Sequence, residues 1–197
     1  MNLEEARGRI DDLDLEIRDL LMRRMDMSRA VAEYKKRSGD TAVYRPDREK
    51  KILSSLGEGV PEDRRNAYLA VVRKILQGSR GYQYSLLYDW DPGAAEELFR
   101  DIRIPEKCAG VRLGLKCPNS PGALAAVLSV AGDAGCGLAG IVPLGGDGEY
   151  AGFELKVLCD MNRTEIKKLM YQLSVENRDF KILEVFGPEG CPEEEKE

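Results

Sequence analysis

Histidine is missing from all 197 residues of this chain. Its absence excludes Ser-His and Cys-His nucleophilic chemistry and any acid–base step that runs through imidazole. Cysteine is confined to the second half, at Cys108, Cys117, Cys136, Cys159 and Cys191, and no two stand in C-x-x-C spacing. No metal site is therefore expected, and the odd number reads as reduced, mostly buried thiols. The sequence has no apolar run long enough to span a bilayer and no basic-then-apolar leader. That pattern points to a cytoplasmic protein with no membrane partner. A surplus of basic residues is also lacking: the net charge is −5, which argues against nucleic acid as a partner. The acidity is uneven. Residues up to about Trp90 are close to neutral and the rest is acidic, so two small domains are expected with a break near Trp90.

What is present begins with one long amphipathic pattern. Leu3, Ile10, Ile17 and Val31 recur at heptad spacing, with Ala6, Leu13, Leu20, Met27 and Tyr34 as a companion seam. The pattern predicts a helix from about Leu3 to Arg37, stopped at Ser38-Gly39-Asp40. Pro46 is well placed to open a second helix that ends near Gly57-Glu58-Gly59. Pro61-Glu62-Asp63 opens a third, which runs to about Leu87. Three helices with short connections fit a helical bundle. Residues 89–109 read as a linker holding at most a short helix from Ala94 to Ile102.

Beyond the linker the period changes to two. Strands are expected at Val111–Leu115, Leu138–Leu144, Tyr150–Cys159 and Phe180–Phe186. Helices are expected at Pro121–Ala134 and at Asn162–Glu176, the latter started by an Asn162/Thr164 cap. The order βαββαβ is the split βαβ, ferredoxin-like arrangement. The expected fold class is thus a helical domain at 1–88, a linker, an α/β domain at 110–188, and a disordered acidic tail at 189–197.

Polar residues interrupt the helical seams. The register Leu3–Ile10–Ile17 next reaches Arg24, and a lone guanidinium there calls for an anionic partner. The stripe Leu69, Val72, Leu76 next reaches Ser79 and Gln83, which share one helix face. Arg24 and Lys35 share a face about 16 Å apart, close enough to grip one small molecule. Arg48 and Glu49 open the second helix, at its positive end. Arg7 lies roughly 42 Å from Lys35 along the first helix, so a functional Arg7 must serve a second chain's site. Taken singly, Arg7 also reads as a surface residue, Ser79 as helix packing, and Arg48 with Glu49 as a solvated face. Arg24 and Gln83 replace core residues. Together the group reads as a site for a small anion.

In this order and spacing the first ninety residues resemble the all-helical chorismate mutases. The motifs are Ala6-Arg7-Gly8-Arg9-Ile10-Asp11-Asp12-Leu13-Asp14, Leu21-Met22-Arg23-Arg24, Val31-Ala32-Glu33-Tyr34-Lys35, Arg48-Glu49 and Ser79-x-x-x-Gln83. The resemblance implies an intertwined homodimer with two shared active sites and chorismate as substrate, rearranged to prephenate without metal or cofactor. It implies carboxylate binding by Arg24, Arg48 and the partner's Arg7, with Ser79 near a carboxylate. Lys35 and Gln83 would act on the ether oxygen and Glu49 on the ring hydroxyl. Arg45 stands where the family often has Asp, which removes an acceptor for the hydroxyl and a cap for the second helix.

Residues from about Val111 to Gly187 resemble an ACT domain, a small amino-acid-sensing module, through Pro121-Gly122-Ala123-Leu124 at the start of its first helix. That resemblance implies an aromatic amino-acid effector near Asn119, Ser120, Gly122, Ala123, Leu124, Ile141 and Val142. Val142-Pro143-Leu144-Gly145 replaces the Glu-Ser-Arg-Pro of phenylalanine-responsive versions, so tyrosine and phenylalanine both stay open. The turn at Asn119–Gly122 reads equally as a plain tight turn. Two other functions stay open: an isochorismate–pyruvate lyase on the same helical scaffold, and an amino-acid-binding regulatory subunit with a degenerate mutase fold.

Overall fold

The computed structural model describes residues 1–40 and 42–190; the expected acidic tail and Cys191 fall almost wholly outside them. The chain divides into two compact units, Met1–Leu87 and Tyr88–Glu197.

The first unit is built on three helices. Helix α1 spans Leu3–Ser38. A capping box starts it: the Glu5 N–H donates to Asn2 Oδ1 at 2.8 Å and the Asn2 N–H to Glu5 Oε2 at 3.1 Å. Gly39 stops it in the left-handed region, φ 72°, where a side chain would be strained. Helix α2 spans Pro46–Gly57, and its N-cap, Arg45, makes no side-chain capping bond. Helix α3 spans Glu62–Trp90, three residues longer than its apolar pattern suggests. The buried side chains of this unit are few, chiefly Ala32, Val43, Val72, Leu76, Tyr84, Leu86 and Leu87. Residues 7–20 of α1 are exposed on every face, including the seam residues Ile10, Leu13, Ile17 and Leu20.

The second unit is a four-stranded antiparallel sheet in the order β2-β3-β1-β4, the ferredoxin-like order. Its elements are α4 (Pro92–Phe99), β1 (Gly110–Pro118), α5 (Ala123–Asp133), β2 (Gly137–Gly146), β3 (Tyr150–Leu158), α6 (Thr164–Glu176) and β4 (Arg178–Phe186), then a 3₁₀ turn at Pro188–Gly190. Alternation along β1 sends Val111, Leu113, Leu115 and Cys117 into one core with Leu155, Val157, Ile166, Met170 and Leu173. On the other face, Arg112 pairs with Glu154 and Glu184 across three strands.

Two expectations change here. Residues 89–109 do not read as a free linker in the structure: Leu98, Phe99, Ile104 and Cys108 pack against the sheet's core, and Asp89 pairs with Lys168 at 2.7 Å. Their apolar positions are too few to show a period, which hid them. Asn162 does not cap α6. Its amide instead donates to the carbonyls of Pro105 and Glu106, at 3.1 and 3.3 Å, tying down the segment before β1. Arg163 takes the N-cap position without a side-chain bond.

Candidate functional site

Helices α1, α2 and α3 enclose a cavity of about 300 Å³ lined by Arg24, Lys35, Arg45, Arg48, Glu49, Ser79, Arg80 and Gln83, with Met27, Val31, Val43, Ile52 and Leu76 as apolar walls. Six of the seven polar residues singled out in the helical sequence meet there. Arg7 does not; it lies on the exposed first half of α1.

The long helix explains how α1 contributes two cations. Arg24, Ser28, Val31 and Lys35 recur at three- and four-residue steps, which places them on one stripe. Ser28 and Lys35 are buried and Arg24 is half-buried. Arg24 donates from its guanidinium to the Ser79 hydroxyl. The anionic partner expected for Arg24 is not found among the described residues; a neutral hydroxyl holds it instead. Its charge is thus left uncompensated within the unit, facing the cavity.

Lys35 is held by a hydrogen bond from Nζ to the Ala42 carbonyl. Burial lowers its pKa from the ordinary 10.5, Arg45 and Arg48 add to the effect, and Asp40 opposes it. Asp40 is itself drawn to Arg45, at 2.5 Å. On α3, Gln83 Nε2 donates to the Ser79 carbonyl at 3.3 Å, which keeps its amide over the cavity. Arg48 lines the mouth and is exposed.

Glu49 departs from the simplest expectation of a carboxylate waiting for a ligand, because Arg80 pairs with it. The Arg80 guanidinium also stacks 4.5 Å from the centre of the Tyr44 ring. The Tyr44 N–H in turn donates to the buried Tyr84 hydroxyl at 3.2 Å. The motifs do not single out Arg80, yet the sequence holds a signal for it. It stands four residues after Leu76 and four before Tyr84, both buried, so it too occupies a core stripe of α3. Counting all of them, four arginines and one lysine surround a single carboxylate, and the cavity is cationic.

In the sheet unit, the residues expected around an effector do not converge within one chain. Gly122 is the N-cap of α5 at φ 85°, so the helix starts at Ala123, two residues later than its sequence suggests. The Asn119 N–H donates to the Glu149 carbonyl at the start of β3. Ile141 faces Leu155, six residues further along that strand, which puts it roughly 20 Å away. Ile141 and Val142 are consecutive in a strand and point to opposite faces, so they cannot form one apolar wall. Ala123 and Leu124 are half-buried against the core.

Among the described residues there is no cluster of three His, Cys, Asp or Glu that would hold a metal ion. Nor is any described helix long and apolar enough to cross a membrane. In comparisons with known proteins, the family model for chorismate mutase type II matches residues 6–104, which covers the three helices of the cavity and α4. No curated protein and no solved structure matches the chain.

Proposed function

This chain belongs to the chorismate mutase type II family, and on that premise we propose that it catalyses the rearrangement of chorismate to prephenate for aromatic amino-acid biosynthesis. One observation carries the reading. Three helices deliver Arg24, Lys35, Arg48, Glu49, Ser79 and Gln83 to a single cationic cavity, with Lys35 buried at its base. The cavity's volume suits a small dianion, and the chemistry asks for no group the chain lacks. Within one molecule the ether C–O bond breaks as a C–C bond forms, and no proton changes place. Histidine is not needed.

The residues divide the work by charge. Arg24 and Arg48 bind carboxylates, and Ser79 fixes the Arg24 guanidinium. Lys35 and Gln83 donate to the ether oxygen, where negative charge grows as its bond breaks. Each such preorganised donor is typically worth about 3 kcal/mol. Holding the substrate in its folded conformer adds several kcal/mol more. Glu49 accepts from the ring hydroxyl, and Arg80 orients the carboxylate by occupying one side of it. Arg45 cannot accept a hydrogen bond, so the hydroxyl has Glu49 as its one acidic partner.

The site is completed by a second copy of the chain. The seam of α1 is exposed through Ile10, Leu13, Ile17 and Leu20, and such a stripe on a helix in water needs cover. Arg7 sits on that same uncovered half. An antiparallel exchange of first helices covers the seam and brings the partner's Arg7 to the site as a third carboxylate-binding arginine beside Arg24 and Arg48. Arg7→Ala and Lys35→Ala homodimers are each expected to be nearly inactive. Unfolded and refolded together they regain activity, because a mixed dimer holds one site with both residues intact. Persistent inactivity, with heterodimers shown to be present, refutes the shared site. Assay of the wild type on chorismate and on isochorismate separates the mutase from the lyase, and silence on both leaves a regulatory subunit.

The strand order of the second unit supports the ACT resemblance, with the mutase activity sensitive to phenylalanine or tyrosine. Since Asn119 and Ile141 lie far apart in one chain, the effector binds where the turn of one copy meets β2 of another. Calorimetric titration with phenylalanine, tyrosine and tryptophan tests it. No heat at millimolar concentration, with unchanged rates, refutes it.

A further inference from the structure

We propose that Cys136 and Cys159 form a redox-active thiol pair, a site at which the chain takes up and releases an internal disulfide by exchange with a small-molecule disulfide. The register of the sheet carries the inference. In the pairing of β2 with β3, Gly137 stands opposite Leu158. Continuing that register one step past the strand ends brings Cys136 to Cys159, and the two thiols lie close enough to interact. The Cys159 N–H is bonded to the Ala109 carbonyl at 3.2 Å, on the β1 side, so it does not face Cys136. The two cysteines are therefore a non-hydrogen-bonded pair, the kind in which facing Cα atoms approach to about 4.5 Å. A disulfide accepts Cα separations from about 4.4 to 6.8 Å. Both thiols are half-buried at the rim of the core, within reach of a small reagent.

The two sulfurs differ in the way thiol exchange requires. The Cys136 and Cys159 thiols lie close enough to share a hydrogen bond. That bond holds Cys136 below the ordinary thiol range, helped by the Arg163 charge and opposed by burial. The same bond, with burial and the neighbouring thiols, pushes Cys159 far up. The Arg163 charge beside Cys136 favours its thiolate, which makes Cys136 the attacking thiol and Cys159 the resolving one. Cys108 lies at the same rim, but backbone groups engage its sulfur. It accepts from the Met161 N–H at 3.3 Å and donates to the Cys159 carbonyl at 3.5 Å.

The exchange balances in two steps. The Cys136 thiolate attacks one sulfur of the small disulfide, forming a mixed disulfide and releasing one small thiolate. Cys159, losing its proton to that thiolate or to solvent, attacks the Cys136 sulfur and releases the second. The pair is oxidised by two electrons and one small disulfide is reduced to two thiols. A small thiol in excess reverses both steps.

The test uses the full chain in graded ratios of oxidised to reduced glutathione, followed by acid quench, alkylation and peptide mapping. The expected result is one intrachain Cys136–Cys159 bond, with the mass of two hydrogens lost and recovered on reduction. Cys159→Ser is expected to stop at a glutathione adduct on Cys136, since no thiol resolves it, whereas Cys108→Ser keeps the internal bond. A bond from either residue to Cys108 or Cys191, a bond between chains, or unchanged thiols across the whole range overturns the proposal. Because the wild type is mapped directly, a variant that fails to fold does not blunt the test.

Discussion

The two units of this chain bury their apolar residues in opposite ways. The sheet unit closes on itself: Val111, Leu113, Leu155, Met161, Ile166 and Met170 are at most 2% exposed. The helical unit leaves half of its longest helix uncovered and spends much of its interior on arginine, lysine, serine and glutamine. A closed apolar core is sufficient for stability, while charges held under a thin apolar layer are expensive and are kept where a ligand compensates them. The difference teaches where to look for chemistry. In this chain the cationic cavity lies in the unit that packs worse.

The largest expected effect breaks that contrast at its polar side. Lys35→Ala and Gln83→Ala are each expected to lower kcat on chorismate by about a hundredfold or more, the loss typical of an oxyanion-type donor. Steady-state assays that return wild-type rates in either variant refute the assignment of the cavity.

The next effect is on the packed side. Leu113→Ala or Leu155→Ala is expected to destabilise the sheet unit by about 3 kcal/mol, because a sealed core cannot collapse around the void. Ile17→Ala on the exposed α1 seam is expected to behave differently. On the proposed exchange of first helices its cost is expected to depend on protein concentration, because a second copy covers the residue. Thermal melts at two concentrations compare the two sites, and a concentration-independent loss at Ile17 would mean that no second copy covers α1.

A smaller effect sharpens the contrast inside the cavity. Arg80→Met leaves Glu49 without its partner and is expected to raise KM about tenfold with a lesser change in kcat. Arg80→Lys is expected to recover part of the loss. Equal loss in both variants, tracking a fall in melting temperature, would reduce Arg80 to a structural role.

The smallest effect is on pH. In the proposed mechanism the protonated Lys35 is the active form, and burial lowers its pKa from 10.5. Log kcat/KM is therefore expected to stay flat from about pH 6 to 8 and to fall at a pH below 10.5. For stability the sign is reversed. The unfolded chain holds this proton more tightly than the folded one, so the contribution of Lys35 to stability rises with pH between the lowered value and 10.5. Lys35→Met is accordingly expected to melt no lower than the wild type while losing activity. An alkaline limb at or above 10.5 would mean that the lysine is not desolvated in the working enzyme.

Much of this was legible in the residues. Heptad spacing located α1, proline and glycine marked its neighbours, and period-two alternation found all four strands. The interruptions Arg24, Ser79 and Gln83 pointed to the cavity because burying a polar group in an apolar stripe is costly unless a partner meets it. Arg80 lies outside the motifs and was not singled out, although it stands four residues from both Leu76 and Tyr84 on the core stripe of α3. Segment 89–109 was hidden because its few apolar residues lie in a short helix and a loop without period.

The sequence by itself determined the main elements, their order, and the polar interruptions at Arg24, Ser79 and Gln83, because side-chain direction along a helix or strand follows from local spacing. Only the tertiary structure decided who meets whom. It gave Glu49 to Arg80, Arg24 to Ser79 and Cys136 to Cys159, and it separated Asn119 from Ile141. Contacts between elements depend on how those elements cross and in what register they pair, and neither is written in the spacing of any one of them.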